Sequence, residues 1–285
     1  MNFIREITII SGLCILLGVT AKAQQSQKKF LSEVFKSFPS PLKMSNLLKD
    51  LETPYPWPLF NPVISVKNYR TKYQQALNLG VYSTDLSFAM VYKKITDGSD
   101  YLAAIEHLAK DLKVAQGFDR ASIEAFLIKE HQQDSLFLVA KNNLTRVNEQ
   151  LIETNRSELA ILMSLGGWLE SLYVTCWVHS KAPKNILKSR IGNQKIVLEQ
   201  LMLLLSFYEA KPAIKKMIQE LRPLQKVFDK IKIDFQYNDP NTKEDDNGIL
   251  ISDDDTSTKV FLTNQDAKTI YKLTTKIRNQ IIQGK

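Results

Sequence analysis

The sequence predicts a mainly α-helical protein, a multi-helix bundle with a small β-hairpin-like insertion before the C-terminal helix. Apolar residues recur at helical spacing along most of its 285 residues. Residues 157–179 are apolar on nearly all sides, which is typical of a central buried helix. Residues 231–237 instead alternate apolar and polar side chains, which indicates a strand. At 44% hydrophobic residues, the chain is long and apolar enough to bury a sizeable core.

The first 23 residues predict a cleaved signal peptide. Arg5 precedes an apolar run over residues 7–19, and Ala21 and Ala23 have the spacing of a signal-peptidase site. The run is too short for a comfortable membrane span. The alternatives are a retained anchor and a lipoprotein acylated at Cys14, although Cys14 lies inside the run. We therefore expect export to the periplasm or outer envelope, leaving residues 24–285 as a single helical domain.

The N-terminal half of this domain predicts helices separated by proline-rich breaks. Helical spacing of apolar residues covers 30–38, and a short helix follows over 42–51. Closely spaced prolines make residues 53–62 extended, and the aromatic residues there indicate that the segment lies along the body. A long helix is expected over 66–96. Residues 97–100 then form a turn, and Asp100 caps a helix over 101–114.

The C-terminal half continues with helices up to the hairpin. We expect helices starting at Asp119 or Ser122, over 134–154, over the apolar segment 157–179 and over 183–208. Pro212 suits the first turn of the next helix, which Pro223 interrupts or kinks.

The last fifty residues combine strands with one helix. Residues 231–237 and 259–262 are candidate partner strands, separated by an acidic, flexible loop over about 238–256. Thr263 is expected to cap a final helix over 264–283.

Charge and cysteine content favour no particular chemistry. The formal net charge is +8, and removal of residues 1–23 leaves +7. The densest basic group falls on several helix faces and is interpreted as a solvated helix surface; it comprises Lys211, Lys215, Lys216, Arg222, Lys226, Lys230 and Lys232. No nucleic-acid-binding motif is present, so no nucleic-acid partner is expected. Cys176 lies in an apolar segment and is interpreted as a small buried hydrophobe.

No catalytic or metal-binding motif is found, so we predict no metal, no cofactor and, on balance, no enzyme. The three histidines, His107, His131 and His179, lack metal-ligand spacing. The acidic loop resembles a calcium-binding EF-hand loop only in part, because Lys243 occupies the first ligand position. Adventitious calcium binding by residues 253–255 stays open.

Polar residues in the buried helices are the candidate ligand-binding residues. One set shares a helix face and the other belongs to the apolar helix: Asn78, Tyr82 and Asp85, and Trp168, Glu170 and Tyr173. A buried carboxylate without compensation is costly, so Asp85 or Glu170 must reach solvent, a cation or several donors. Either these residues form a satisfied internal network, or they line a pocket for a small polar ligand.

Several stretches also resemble a known family. Residues 38–41, 61–62, 76–86 and 165–173, together with the terminal helix around 262–282, are similar to a family of exported, mostly helical Gram-negative proteins of unknown function. The resemblance implies an exported protein and transfers no catalytic residue.

The sequence therefore predicts an exported periplasmic or envelope protein that acts by binding or scaffolding. Its partner would be an envelope protein or a small polar ligand, and no stable transmembrane segment is expected after signal cleavage. The alternative is a small-polar-ligand binder with a pocket between buried helices. A third possibility is a metal-independent hydrolase with Asp85 or Glu170 as the general base.

Overall fold

The computed structural model describes residues 28–34, 41–117, 145–235 and 258–284, together with two short strands and a few isolated residues. The predicted signal peptide over residues 1–23 lies outside the described residues. So do the predicted helix that starts at Asp119 or Ser122 and the first part of the helix predicted over 134–154.

The described part of the chain is mainly helical, as predicted. The α-helices are α1 (Pro41–Asp50), α2 (Lys72–Val91), α3 (Ile95–Asp111), α4 (Ser157–Lys181), α5 (Asn185–Ser206), α6 (Pro212–Phe228) and α7 (Asn264–Ile282). Residues 28–34 and 145–153 are also helical. Short 3₁₀ helices cover Trp57–Leu59, Val63–Asn68 and Ala115–Gly117.

A β-hairpin precedes the last helix, as expected. Strand β1 (Lys232–Phe235) pairs antiparallel with β4 (Thr258–Phe261), with Lys232 opposite Phe261. Between them β2 (Thr242–Glu244) pairs with β3 (Leu250–Ser252), so the prediction of a loop throughout 238–256 was wrong for these six residues. The rest of that acidic segment, including the calcium-ligand candidates, lies outside the described residues.

The predicted boundary between α2 and α3 was wrong. The long helix ends at Val91 rather than Thr96, and residues 97–100 lie inside α3 instead of forming a turn. The break comes at Lys93, which adopts a left-handed φ of 55°. There the Lys94 N–H donates to the Ala89 carbonyl, closing a Schellman motif without glycine. Asp97 then lies in the first turn of α3, where a carboxylate is favourable.

Other proline and capping predictions are mostly confirmed. Pro212 starts α6, and Thr263 caps α7 by accepting from the Asp266 N–H. Pro223 does not interrupt α6, which continues to Phe228. The proline-rich segment lies along the body, because Phe60 is buried against the rings of Phe88 and Tyr101.

Helices α2 and α4 form the centre of the core. Every residue of α2 from Gln75 to Val91 is buried. Among the described helices, only α4 is long and apolar enough to cross a membrane. Of its most apolar 18-residue stretch, 83% is buried inside the protein. This burial confirms α4 as a central core helix. Helices α1, α3, α5 and α7 and the proline-rich segment pack against the pair, and α6 packs against α5 and α7.

Glycines allow α2 and α4 to approach closely. A Cβ atom on Gly80 would overlap the carbonyl oxygen of Met163, and one on Gly166 would overlap that of Leu77. Thr84 donates its hydroxyl across the contact to the Gly167 carbonyl at 3.1 Å. The backbones therefore touch where a side chain on either helix would hold them apart.

Alanine substitutions test this close contact. Gly80→Ala and Gly166→Ala should each lower the free energy of unfolding by about 2–4 kcal/mol, because backbone atoms must move. Gly167→Ala is the matched control: its Cβ would lie 3.2 Å from the Gly80 carbonyl oxygen, an overlap that small shifts relieve. Alanine also gains roughly 1 kcal/mol of helix propensity there. Urea denaturation measures all three, and equal costs would contradict the contact.

Candidate functional site

The contact between α2 and α4 places two carboxyl groups side by side in the core. Asp85 follows Gly80 by five residues, and Glu170 follows Gly167 by three. Both side chains are 0% exposed, and their carboxyl groups are within hydrogen-bonding reach of each other. Two buried acids in contact need a compensating cation, a retained proton or both.

Arg278 of α7 supplies the cation. Its Nε donates to Glu170 Oε2 and its Nη2 donates to Glu170 Oε1, both at 2.7 Å, which forms a bidentate salt bridge. Nη2 also donates to the Leu59 carbonyl at 2.6 Å. The guanidinium carbon lies 4.8 Å from the centre of the Tyr173 ring, a cation–π distance. Arg278 is only 4% exposed, so the pair is enclosed by protein.

The electrostatics keep Arg278 charged. Burial alone would lower the pKa of Arg278, but the adjacent Glu170 carboxylate outweighs it, and the pKa is raised above its usual value. The charges of Arg278 and Glu170 therefore balance within the core.

The surroundings of Asp85 favour its protonated form. Burial, followed by the charge of Glu170, raises the pKa of Asp85 well above its usual value, although Arg278 opposes the shift. Asp85 Oδ2 accepts from the Asn61 backbone N–H at 3.1 Å, whereas Oδ1 has no donor among the described residues. A proton on Oδ1 would let Asp85 donate to Glu170, and the cluster would then be neutral overall.

Asn61, at the end of the proline-rich segment, connects the acids to a second set of polar groups. Its side-chain Nδ2 donates to the Tyr69 hydroxyl at 2.9 Å and to Asn78 Oδ1 at 3.2 Å. Asn78 in turn donates to the Ile281 carbonyl. Tyr69 donates to the Ile282 carbonyl at 2.9 Å. The network therefore fastens the C-terminal end of α7 to α2 and to the segment that precedes it.

The structure brings together five of the six predicted site residues. Asn78, Asp85, Glu170 and Tyr173 belong to the cluster, and Tyr82 borders it by donating to the Pro62 carbonyl at 3.0 Å. Burial, followed by the neighbouring Tyr69, raises the pKa of Tyr82.

Trp168 lies apart from the other five. Its indole N–H donates to Gln194 of α5 at 2.9 Å, so it serves the contact between α4 and α5.

Sequence reasoning missed Arg278, Asn61 and Tyr69. Arg278 and Thr274 are spaced four residues apart and are both buried on the inward side of α7. A signal was available, since a buried glutamate in the most apolar helix requires a cation and α7 carries an arginine among inward-facing isoleucines. Asn61 carried no such signal, because an Asn-Pro pair is ordinary in a turn.

Besides Asp85 Oδ1, two buried side-chain oxygens on residues of the cluster or close to it in sequence have no hydrogen-bond partner among the described residues. These are Asn61 Oδ1 and Thr274 Oγ1. Buried polar atoms are normally hydrogen-bonded. Each of these two oxygens can therefore still accept a hydrogen bond from a water molecule or a ligand group.

The remaining candidate groups are placed as follows. Cys176 is buried, and burial raises the pKa of its thiol, which disfavours the reactive thiolate. Within the described residues, no group of three or more His, Cys, Asp or Glu side chains is placed to hold a metal ion.

The described fold and cluster define a helical protein whose central polar residues form hydrogen bonds and a salt bridge with one another. Comparison with known proteins adds no relative: no family model, no curated protein and no solved structure matches the chain.

The retained proton on Asp85 predicts a pH-dependent stability. A carboxyl whose pKa is raised in the folded state stabilises the fold fully below its unfolded pKa, and this contribution is lost as pH rises through the folded pKa. Asp85→Asn can accept from Asn61 and donate to Glu170 at any pH. The stability of Asp85→Asn relative to wild type should therefore increase between about pH 4 and pH 8, by about 1.4 kcal/mol for each pH unit until the folded pKa is passed.

Urea denaturation across that pH range provides the measurement. Asp100→Asn, at an exposed position of α3, is the control and should follow the wild type. A difference between Asp85→Asn and wild type that does not change with pH would show that Asp85 is ionised in the folded protein.

Proposed function

We propose that this chain is an exported protein of the periplasm or outer envelope that acts by binding or scaffolding rather than by catalysis. Its central polar cluster serves the fold, and its partners engage the outer surface. The proposal includes membership of the exported, mostly helical family that the sequence resembles.

The observation that carries the proposal is the pairing of Glu170 with Arg278. A general base must be free to accept a proton from a substrate or a water molecule. Both oxygens of Glu170 instead accept from Arg278, and the arginine is held in turn by the Leu59 carbonyl and the Tyr173 ring. Asp85 is fully buried and its raised pKa favours the protonated form, which also makes it unsuitable as a base. This arrangement supports a structural role for both carboxyl groups.

Export is supported by the sequence of residues 1–23. The basic residue, the apolar run and the small residues before Gln24 follow the pattern of a secretory signal. Cys176 is the only cysteine after residue 23, so the exported domain would fold without an internal disulfide.

A second candidate, a small-polar-ligand binder, is favoured by the unpartnered oxygens Asn61 Oδ1 and Thr274 Oγ1. A ligand with hydrogen-bond donors could satisfy either of these oxygens. This candidate requires that the bundle open, since these residues are buried.

Expression in a Gram-negative host, with cell fractionation and a thermal-shift screen, tests the proposal. We expect a periplasmic protein whose measured mass corresponds to a chain that starts at Gln24. We expect no change in its melting temperature with a panel of sugars, amino acids and polyamines. A full-length cytoplasmic product would contradict export.

A specific ligand would overturn the scaffolding proposal in favour of the second candidate. At about 100 times its dissociation constant it should raise the melting temperature by roughly 5–10 °C. Thr274→Val removes an oxygen that makes no hydrogen bond within the described residues and should abolish that shift. Thr275→Val, whose hydroxyl only donates to the Tyr271 carbonyl, should retain it.

A further inference from the structure

Helix α6 has two contrasting faces. Its buried face consists of Ile214, Ile218, Leu221, Leu224 and Phe228. The opposite side exposes five cations, Lys215, Lys216, Arg222, Lys226 and Lys230, the last just beyond the helix. Among the cations that the sequence places on several faces, Lys215, Arg222 and Lys226 recur at helical spacing on one side of α6.

Carboxylates offset these cations only in part, since Asp229, just beyond α6 and next to Lys230, is also exposed. Glu220 is the only acid within α6 and lies half-buried at the edge of the exposed face. Among the described residues, none of the five cations makes an ion pair. Five cations against two carboxylates leave an excess of positive charge, which favours a polyanionic partner.

The neighbouring helix α7 adds a second basic row. Lys268, Lys272 and Lys276 are all exposed and are spaced four residues apart, so they share one side of the helix. Helix α7 packs against α6. We call these eight residues, the five of α6 and the three of α7, the basic surface.

Helix α5, which also packs against α6, exposes apolar side chains. Ile196, Leu203 and Phe207 are spaced seven and four residues apart, and Leu203 and Phe207 are each 54% exposed. The two helices are tied by Lys195, whose Nζ donates to the carbonyls of Asp229 at 3.3 Å and Ile231 at 2.9 Å. An exposed apolar row next to a basic helix is unusual for a surface that contacts only water.

We propose that the basic surface, together with the apolar row of α5, docks this protein on an anionic phospholipid bilayer. Lysine and arginine side chains are attracted to anionic headgroups, and exposed Phe, Leu and Ile side chains insert at the boundary with the acyl chains. This combination favours a bilayer over nucleic acid, which offers phosphates without an apolar layer to receive Phe207 and Leu203.

The inference extends the proposed envelope function by naming the partner as a lipid surface. In the cell it rests on export to the envelope, but binding to vesicles does not depend on export. A cytoplasmic product that still binds anionic vesicles would therefore contradict the proposed location and leave the docking surface intact.

Vesicle co-sedimentation of the purified full chain tests the proposal. Vesicles of phosphatidylcholine with about one-third phosphatidylglycerol are compared with vesicles of phosphatidylcholine alone, at about 0.1 M salt. Because the apolar run over residues 7–19 could insert into either kind of vesicle, the readout is the difference in affinity between them. We expect clearly tighter binding to the anionic vesicles and loss of the difference at high salt.

Two sets of substitutions locate the surface. Lys215→Gln/Arg222→Gln/Lys226→Gln should weaken binding to anionic vesicles about 100-fold. The matched control, Lys67→Gln/Lys110→Gln/Lys113→Gln, removes the same charge from exposed lysines near α3 and should change it less than about threefold. Leu203→Ser/Phe207→Ser should weaken vesicle binding at least about tenfold at unchanged charge.

Three results would overturn the proposal. The first is no preference of the wild type for anionic vesicles. The second is an equal loss in the control variant, which would show a general effect of net charge. The third is tighter binding to a short single-stranded DNA than to vesicles, with no effect of Leu203→Ser/Phe207→Ser, which would identify a nucleic-acid surface instead.

Discussion

The buried carboxylate of Glu170 sets a condition that the rest of the bundle must meet. It lies in α4, the most apolar helix of the described structure, where an unpaired charge would cost several kcal/mol. Arg278 meets the condition from a helix more than one hundred residues further along the chain. The position of α7 is therefore tied to that of α4 by charge as well as by apolar packing.

The same condition explains the arrangement around α2. Gly80, Gly166 and Gly167 let α2 approach α4 until Asp85 meets Glu170, and this contact is compatible with burial because Asp85 retains its proton. Asn61 then joins Asp85 to Asn78 and Tyr69, which bind the last carbonyls of α7. Removal of one group would leave buried polar atoms without partners, so we expect the cluster to form and break as a unit.

Periodicity was enough to predict the helical class, the buried character of α4, the hairpin strands and the cap of α7. It failed at the end of α2, where neither glycine nor proline marks the break. There Lys93 adopts the left-handed conformation, and Glu52, Lys113 and Asn155 also have a positive φ at helix ends. Asparagine, as at Asn155, favours this conformation at a helix end, whereas lysine and glutamate give no local signal for it.

For the candidate site too, the sequence predicted some residues and missed others. Helical spacing correctly grouped Asn78 with Asp85, and the cost of burial correctly singled out Glu170. Of their partners, Arg278 was identifiable by the same cost of burial, since α7 carries an arginine among inward-facing isoleucines. Asn61 and Tyr69 were not, because they come from outside the helices. Trp168 was misplaced because spacing within α4 does not reveal which neighbouring helix a side chain contacts, and Trp168 contacts Gln194 of α5.

Under the proposed function, recognition falls to the outer surface. The basic rows of α6 and α7 and the apolar row of α5 are the exposed features of the described residues to which the proposal assigns it.

A double-mutant cycle on Glu170 and Arg278 tests the central claim most directly. Arg278→Met and Glu170→Leu should each lower the free energy of unfolding by about 3–5 kcal/mol, because each leaves the other charge buried and unpaired. The double variant should be more stable than either single variant, with a coupling energy of at least about 2 kcal/mol. Additive losses, measured by urea denaturation at neutral pH, would show that the pair does not hold α4 and α7 together.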